Sequence, residues 1–250
     1  MDGPLVSIIT VCYNAGKTIR TTIESVLNQS YNNFEYIIVD GESNDNTLEI
    51  IKGFDEEFKK KSIKFLLISE HDEGIYDAMN KGIRNAHGEI IGIINSDDWY
   101  ELNAVELIVN LAKQHPCEDI FHGLLRYIRN GKVFWIIGRS VEFLQFDMIP
   151  HPTCFIRKKV YDKHGLFNSK FKIVGDYELM LRYRAAGVAF YFSENILANF
   201  RMDGVSSNVY KTMKEKLYIQ RQYKIISVFH FFILSIQNSA INFIKKIFCI

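Results

Sequence analysis

Four apolar runs, each followed by a segment of helical period, fill the first hundred residues and constrain the fold more than any other feature. "LVSIITVCY" (5–13), "FEYIIVD" (34–40), "IKFLLIS" (63–69) and "EIIGII" (89–94) read as strands, the first and the last of them buried. Between the first two, "KTIRTTIESVLNQ" places Ile19, Ile23, Val26 and Leu27 at helical spacing. "NTLEIIKGFDEEFKKK" and "IYDAMNKGIRNA" read as the second and third helices. Strands that alternate with helices imply parallel pairing through right-handed crossovers, hence a doubly wound sheet.

Beyond Glu101 the alternation loosens. A helix over "NAVELIVNLAKQH" leads to strands near "DIFHGLLRYI" and "KVFWIIG", and the turn "RNGK" between them predicts an antiparallel pair. "HPTCFIRK" reads as another strand, and "DYELMLRYRAAG" as a helix ending at Gly187. No Pro-rich or Gly-rich linker divides the chain. The expectation is an α/β fold with a Rossmann-like mixed sheet and helices on both faces, spanning 1–208, followed by a helical tail over 209–250.

At 250 residues with 48% apolar content, the chain can bury the core of one such domain. A net charge of +1 excludes the basic excess of a nucleic-acid binder. Cys12, Cys117, Cys154 and Cys249 form no CxxC pair, which points away from zinc sites and disulfide frameworks and toward a reducing compartment. The chain enters its first strand almost at once, so no signal peptide is expected and the location predicted is cytoplasmic. The tail differs in character: no Lys, Arg, Asp or Glu occurs from Ile225 to Ile244, and basic residues flank that stretch. Ser227, His230, Gln237, Asn238, Ser239 and Asn242 dilute its hydropathy, which favours an interfacial helix over 225–248 rather than a span. The alternatives are a helix packed on its own domain or into a homodimer.

Ligands of open parallel sheets sit beyond the carboxyl ends of the strands. Asn14, Asp40 and Asp97 follow the first, second and fourth strands, and "EHDEG" follows the third. Taken singly, Asn14 reads equally as a helix cap and Asp40 as a turn residue. "NAGKT" resembles the end of a phosphate-binding P-loop, but Val11 stands where that motif needs glycine. A buried strand running into Asp97 and Asp98 is costly unless a positive group sits there. A hard divalent cation, Mg²⁺ or Mn²⁺, is the natural partner for carboxylates beside a diphosphate. One of the two aspartates would bind it directly and the other would touch ribose or support the first; the alternative is a helix-capping turn.

The ordered set "SIITVCYN", "IIVDGESNDNT", "DEGIYDAMNKGI", "INSDDWY", "HPTCFIRKKVYDKHGLFN" and "VGDYELMLR" resembles the family 2 glycosyltransferases of the GT-A fold, over about residues 5 to 205. The resemblance implies that the nucleotide base and ribose lie against Thr10, Tyr13, Asn14 and Asp40, with Asp72, Lys81, Ser96 and Asp97 completing a nucleotide-sugar site. The family's DxD motif falls on Asn95, Ser96 and Asp97, so Asp97 is the metal ligand and Asn95 departs from the acidic pattern. The family's "ED" pair falls on Gly175 and Asp176, making Asp176 the catalytic base. Asp98 and His151 fall on the acceptor side. Lys81 and Arg84 are candidates for the diphosphate, and "RMDGVSSN" (201–208) for a mobile lid.

The implied reaction moves one sugar from a nucleotide-diphosphate sugar, expected to be a UDP-sugar, to a hydroxyl of a glycan or lipid-linked acceptor, with inversion. The processive QxxRW signature is absent. Bacterial surface-polysaccharide assembly at the inner face of the cell membrane is the expected setting. Two other readings are a sugar nucleotidyltransferase and a non-catalytic scaffold that binds nucleotide sugar at the membrane.

Overall fold

The protein is described from a computed structural model covering residues 3–202 and 209–248. Residues 203–208 of the lid candidate over 201–208 lie outside these residues. The first strands are β1 (Val6–Cys12), β2 (Phe34–Asp40), β3 (Lys64–Ser69) and β4 (Ile90–Asn95). They interleave with α1 (Ile19–Leu27), α2 (Thr47–Lys52), α3 (Asp55–Lys60) and α4 (Ile75–Asn85). The single helix expected over 46–61 is two, because the chain turns at Gly53 and Phe54, and Phe54 is buried.

β5 (Trp99–Tyr100), α5 (Ala104–Gln114), β6 (Ile120–Arg129) and β7 (Lys132–Ile137) follow. After them come β8 (Phe155–Arg157), α6 (Lys158–His164), α7 (Gly175–Ala185), β9 (Phe190–Arg201), α8 (Val209–Gln222) and α9 (Val228–Phe248). The expected strand over "HPTCFIRK" shrinks to β8. Pro150 and Pro152 flank His151, and His151–Thr153 forms a 3-10 turn instead.

The sheet runs β3-β2-β1-β4-β8-β6-β9-β5, with β7 on β6. β1, β2, β3 and β4 pair in parallel, and β8 is antiparallel to both β4 and β6. β6 and β7 form the antiparallel hairpin expected from "RNGK". The sheet is therefore mixed. Two cores cover its faces, and alternate residues of one strand feed each: Ile8 joins α1, α3 and α5, while Ile9 joins α4, α6 and α7.

This order decides where a ligand fits. The chain builds outward from β1 through β2 to β3, then returns to lay β4 on β1's other side. Crossovers thus leave β1 and β4 in opposite directions, opening a crevice at their carboxyl ends.

The tail is two helices with different surroundings. α8 is bolted to the domain: Leu217, Ile219 and Gln220 are buried, and Lys216 pairs with Asp147 at 2.8 Å. α9 packs on α8 and leaves Phe229, Phe232, Ile236 and Ile241 exposed. Among the described residues no helix is long and apolar enough to cross a membrane.

Candidate nucleotide-sugar site

A cavity of about 880 Å³ opens where the crevice is expected. The end of β1 and its loop give Val11, Cys12, Tyr13, Asn14, Lys17 and Thr18; the end of β4 gives Asn95, Ser96 and Asp97. Asp45, Asp72, Gly74, Ile75 and Ala78 complete the wall. Of the residues singled out in the sequence, Tyr13, Asn14, Asp72, Ser96 and Asp97 meet here. Lys17, Thr18 and Asp45 were not singled out, although Asp45 lies inside the quoted "IIVDGESNDNT".

Thr10, Asp40, Lys81 and Asp98 do not line it. The Thr10 hydroxyl faces the core and accepts a hydrogen bond from Tyr36 at 2.9 Å. Asp40 is fully buried, and both its oxygens are taken. Oδ1 accepts from the Ser43 hydroxyl at 2.5 Å, and Oδ2 from the Ser43 amide at 3.0 Å and the Ser69 hydroxyl at 2.8 Å. Ser43 Oγ in turn accepts from the Asn14 amide at 2.8 Å, and Asn14 Oδ1 accepts from the Asn44 amide at 2.9 Å. Asp40 therefore sets the cavity loop rather than facing a ligand. Asn14 holds φ at 50°, a left-handed conformation that Asn tolerates better than most residues.

Lys81 is drawn away by Glu70 at 2.9 Å, Asp77 at 3.7 Å and the His71 carbonyl. Asp98 is fully buried behind the wall, where Oδ1 accepts from the Arg201 amide at 3.1 Å. Burial first, and then repulsion from Asp97, push the Asp98 carboxyl well above the usual carboxylate range.

Asp97 presents its carboxylate to the cavity while its carbonyl accepts from Arg201 Nε at 3.2 Å. Burial raises its affinity for a proton, and the Arg201 charge opposes that. Asn95 Oδ1 and Asp98 Oδ2 are buried and have no hydrogen-bond partner in the protein. Among the described residues no three acidic, His or Cys side chains converge on one point. One carboxylate and spare oxygens suit Mg²⁺ or Mn²⁺, which take few protein ligands and fill their shell with phosphate and water.

Asp176 lies beside the cavity rather than in it. Ile75 forms the wall, and the next residue, Tyr76, places its hydroxyl 3.2 Å from Asp176 Oδ1. The Tyr177 amide donates to the same oxygen at 2.9 Å, at the first turn of α7. Burial raises the Asp176 pKa, against the pull of His151, the Tyr177 amide and the Tyr76 hydroxyl. His151 is buried against the Phe167 ring, and burial lowers its pKa despite the Asp176 charge. His151 and Asp176 thus form a second polar site next to the first.

A model of the glycosyl transferase family 2 domain matches residues 7–181. The chain belongs to this family. The PGL/p-HBAD biosynthesis glycosyltransferase of Mycobacterium bovis BCG is 25% identical over 88% of this chain and 85% of its own. The putative teichuronic acid biosynthesis glycosyltransferase TuaG of Bacillus subtilis is 27% identical over 88% of each chain. S. aureus TarS 1–349 in complex with UDP superposes with a TM-score of 0.68 at 19% identity, over 92% of this chain and 69% of that one; of the longer TarS chain, 39% is spanned. The Pyrobaculum calidifontis mannosyltransferase PcManGT, in complex with GDP-Man and Mn²⁺, gives 0.65 at 16% identity, over 88% and 63%. The fold is GT-A.

Glu215 lies in none of the quoted segments, and neither it nor Tyr76 was singled out in the sequence. Glu215 of α8 accepts hydrogen bonds from the amides of Lys172, Ile173 and Val174 at 3.0–3.2 Å, just ahead of Asp176. Tyr76 sits within the quoted "DEGIYDAMNKGI", but only the fold brings it to Asp176.

Proposed function

We propose that this chain transfers one sugar from a nucleotide-diphosphate sugar to an acceptor hydroxyl with inversion. The observation that carries the reading is the adjacency of a cavity ending on Asp97 to the Asp176 carboxylate beside it, linked through Ile75 of the wall and Tyr76. The nucleotide lies along the β1 loop between Tyr13 and Asp45, with its diphosphate toward Asp97. The donor is a UDP-sugar; UDP on the TarS fold supports this, and GDP-Man on PcManGT is the competing class.

Asp97 would hold Mg²⁺ or Mn²⁺, which would supply positive charge against the departing diphosphate. Asp176 accepts the acceptor hydroxyl's proton as that oxygen attacks the anomeric carbon from the face opposite the leaving group. Its raised pKa makes it a stronger base once ionised. The Tyr76 hydroxyl and Tyr177 amide hold the ionised form in place. One catalytic carboxylate suffices, unlike the pair used by hydrolases.

The acceptor is a glycan or lipid-linked glycan in bacterial surface-polysaccharide assembly, at the inner face of the membrane, with α9 lying in the interface. The names of the Mycobacterium and Bacillus relatives support a cell-surface product. Slow hydrolysis of the donor, with water replacing the acceptor, tests the reading. Nucleoside diphosphate should be released from a UDP-sugar, and the freed sugar should first appear by NMR as the inverted anomer. Release of the retained anomer would contradict it.

A further inference from the structure

Residues Arg129 to Ile136, the turn and most of β7, are exposed without a break. Among the described residues β7 pairs with β6 alone, which makes it an outer strand. Val133, Phe134, Trp135 and Ile136 are 58, 49, 44 and 47% exposed. Four consecutive apolar residues open to water form a patch that a free-standing surface does not need.

Arg129 and Lys132 carry the positive charge at the patch: no Asp or Glu occurs from 120 to 141 or after Glu215, while Arg126 and Arg139 pair with Glu101 at 2.7 Å and Asp147 at 2.6 Å. The apolar surface continues beyond the strand. Arg139 stacks over the Phe143 ring at 4.5 Å, and the exposed Phe146 ring packs on Phe143 at 5.6 Å. Asp147 joins this corner to α8, bonding Arg139 at 2.6 Å and Lys216 at 2.8 Å. The hairpin and the tail are thus braced through one residue.

We infer that the β6–β7 hairpin, with Phe143 and Phe146, docks on an anionic lipid surface. Phe134, Trp135 and Ile136 enter the headgroup boundary, and Arg129 and Lys132 face the lipid phosphates. A second copy of the chain would bring the same cations against each other, whereas anionic lipid complements both the apolar and the basic part.

The hairpin also bears on the site. Ile128 of β6 is in register with Arg201 of β9, and Arg201 Nε bonds the Asp97 carbonyl. A docked hairpin holds the donor cavity's Asp97 side near the bilayer, where a lipid-linked acceptor is presented. That last step rests on the transferase reading; the docking does not.

The test is co-sedimentation of the full chain with phosphatidylcholine vesicles, with and without phosphatidylglycerol. Binding is expected only with phosphatidylglycerol, and Phe134→Ser with Trp135→Ser should weaken it about tenfold or more. Lys132→Glu with Arg129→Glu, which keeps every apolar side chain of the hairpin, should weaken it comparably. In a Trp99→Phe background, Trp135 emission should shift to the blue when anionic vesicles are added. The nucleotide-induced thermal shift should be unchanged in both hairpin variants, which separates loss of docking from loss of the donor site. Unchanged vesicle binding in both variants would overturn the inference, as would no blue shift. A concentration-dependent doubling of mass that the Ser variant abolishes would overturn it in favour of a second copy.

Discussion

The Tyr76 hydroxyl donates to the Ile173 carbonyl at 2.7 Å and lies 3.2 Å from Asp176 Oδ1, joining the helix that walls the cavity to the helix that carries Asp176. The same ring explains a departure from the family pattern. A Cβ on Gly175 would stand 2.8–3.1 Å from the Tyr76 ring, so the acidic residue that the pattern expects before Asp176 has no room. Tyr76 occupies that space and supplies a hydrogen bond in its place.

Tyr76→Phe removes a hydrogen bond that favours ionised Asp176. The Asp176 pKa, already raised by burial, should rise further. Activity should climb with pH as Asp176 loses its proton, and the variant's acid limb should lie at higher pH than the wild type's. A pH–rate profile of donor hydrolysis checks this. An unshifted limb would separate Tyr76 from the base.

Asp176→Asn should lower turnover by about 10²–10⁴-fold while leaving nucleotide binding intact. Gly175→Ala should also lower turnover by displacing Tyr76. A Gly175→Ala, Tyr76→Phe pair keeps the ring, so it should not recover. Paired kinetics and nucleotide titrations read both effects.

Glu215→Ala leaves three backbone amides without their shared acceptor and should cost about 1–3 kcal/mol in stability. It should lower kcat more than it changes nucleotide affinity, because the loosened segment leads into Asp176 and not into the donor cavity. Glu215→Gln, which keeps an acceptor oxygen, should fall between. Equal losses in kcat and affinity would point to general unfolding instead.

Glu35 gives a pH-dependent stability term remote from the site. Burial alone would raise its pKa, but the His87 amide, the Ser7 hydroxyl and Lys64 outweigh that and hold it below the usual value. A depressed folded-state pKa means the unfolded chain binds the proton more readily, so the contribution is present above the unfolded pKa and lost as pH falls through the folded one. Glu35→Gln should therefore destabilise the protein at neutral pH, with the gap narrowing as pH falls below the carboxylate range. Thermal unfolding across pH measures it.

The parallel half of the fold was legible because β1, β2 and β4 are buried on both faces and read as apolar runs, and the partly exposed β3 keeps the apolar run from Phe65 to Ile68. β9 was not, because Ser193, Glu194 and Asn195 interrupt it and its register with β6 slips there. α6 was missed because it starts directly after β8 inside one basic run, "RKKVYDKH". Strand ends located the site, but not which end residues face it. Asp97 lines the cavity, whereas Asp40 is claimed by Ser43 of its own loop and Ser69 at the end of the neighbouring β3. Such competition among partners is set by tertiary packing and leaves no mark in the spacing of residues.

The most direct measurement is the thermal midpoint of the full chain with UDP, GDP, CDP or dTDP, each with and without Mn²⁺, in the wild type and in Asp97→Ala. A shift for one nucleotide, UDP foremost, that needs Mn²⁺ and disappears in Asp97→Ala is the predicted result. A nucleotide shift of equal size without Mn²⁺ and in Asp97→Ala would contradict the metal role of Asp97, and no shift with any nucleotide would contradict the donor cavity itself.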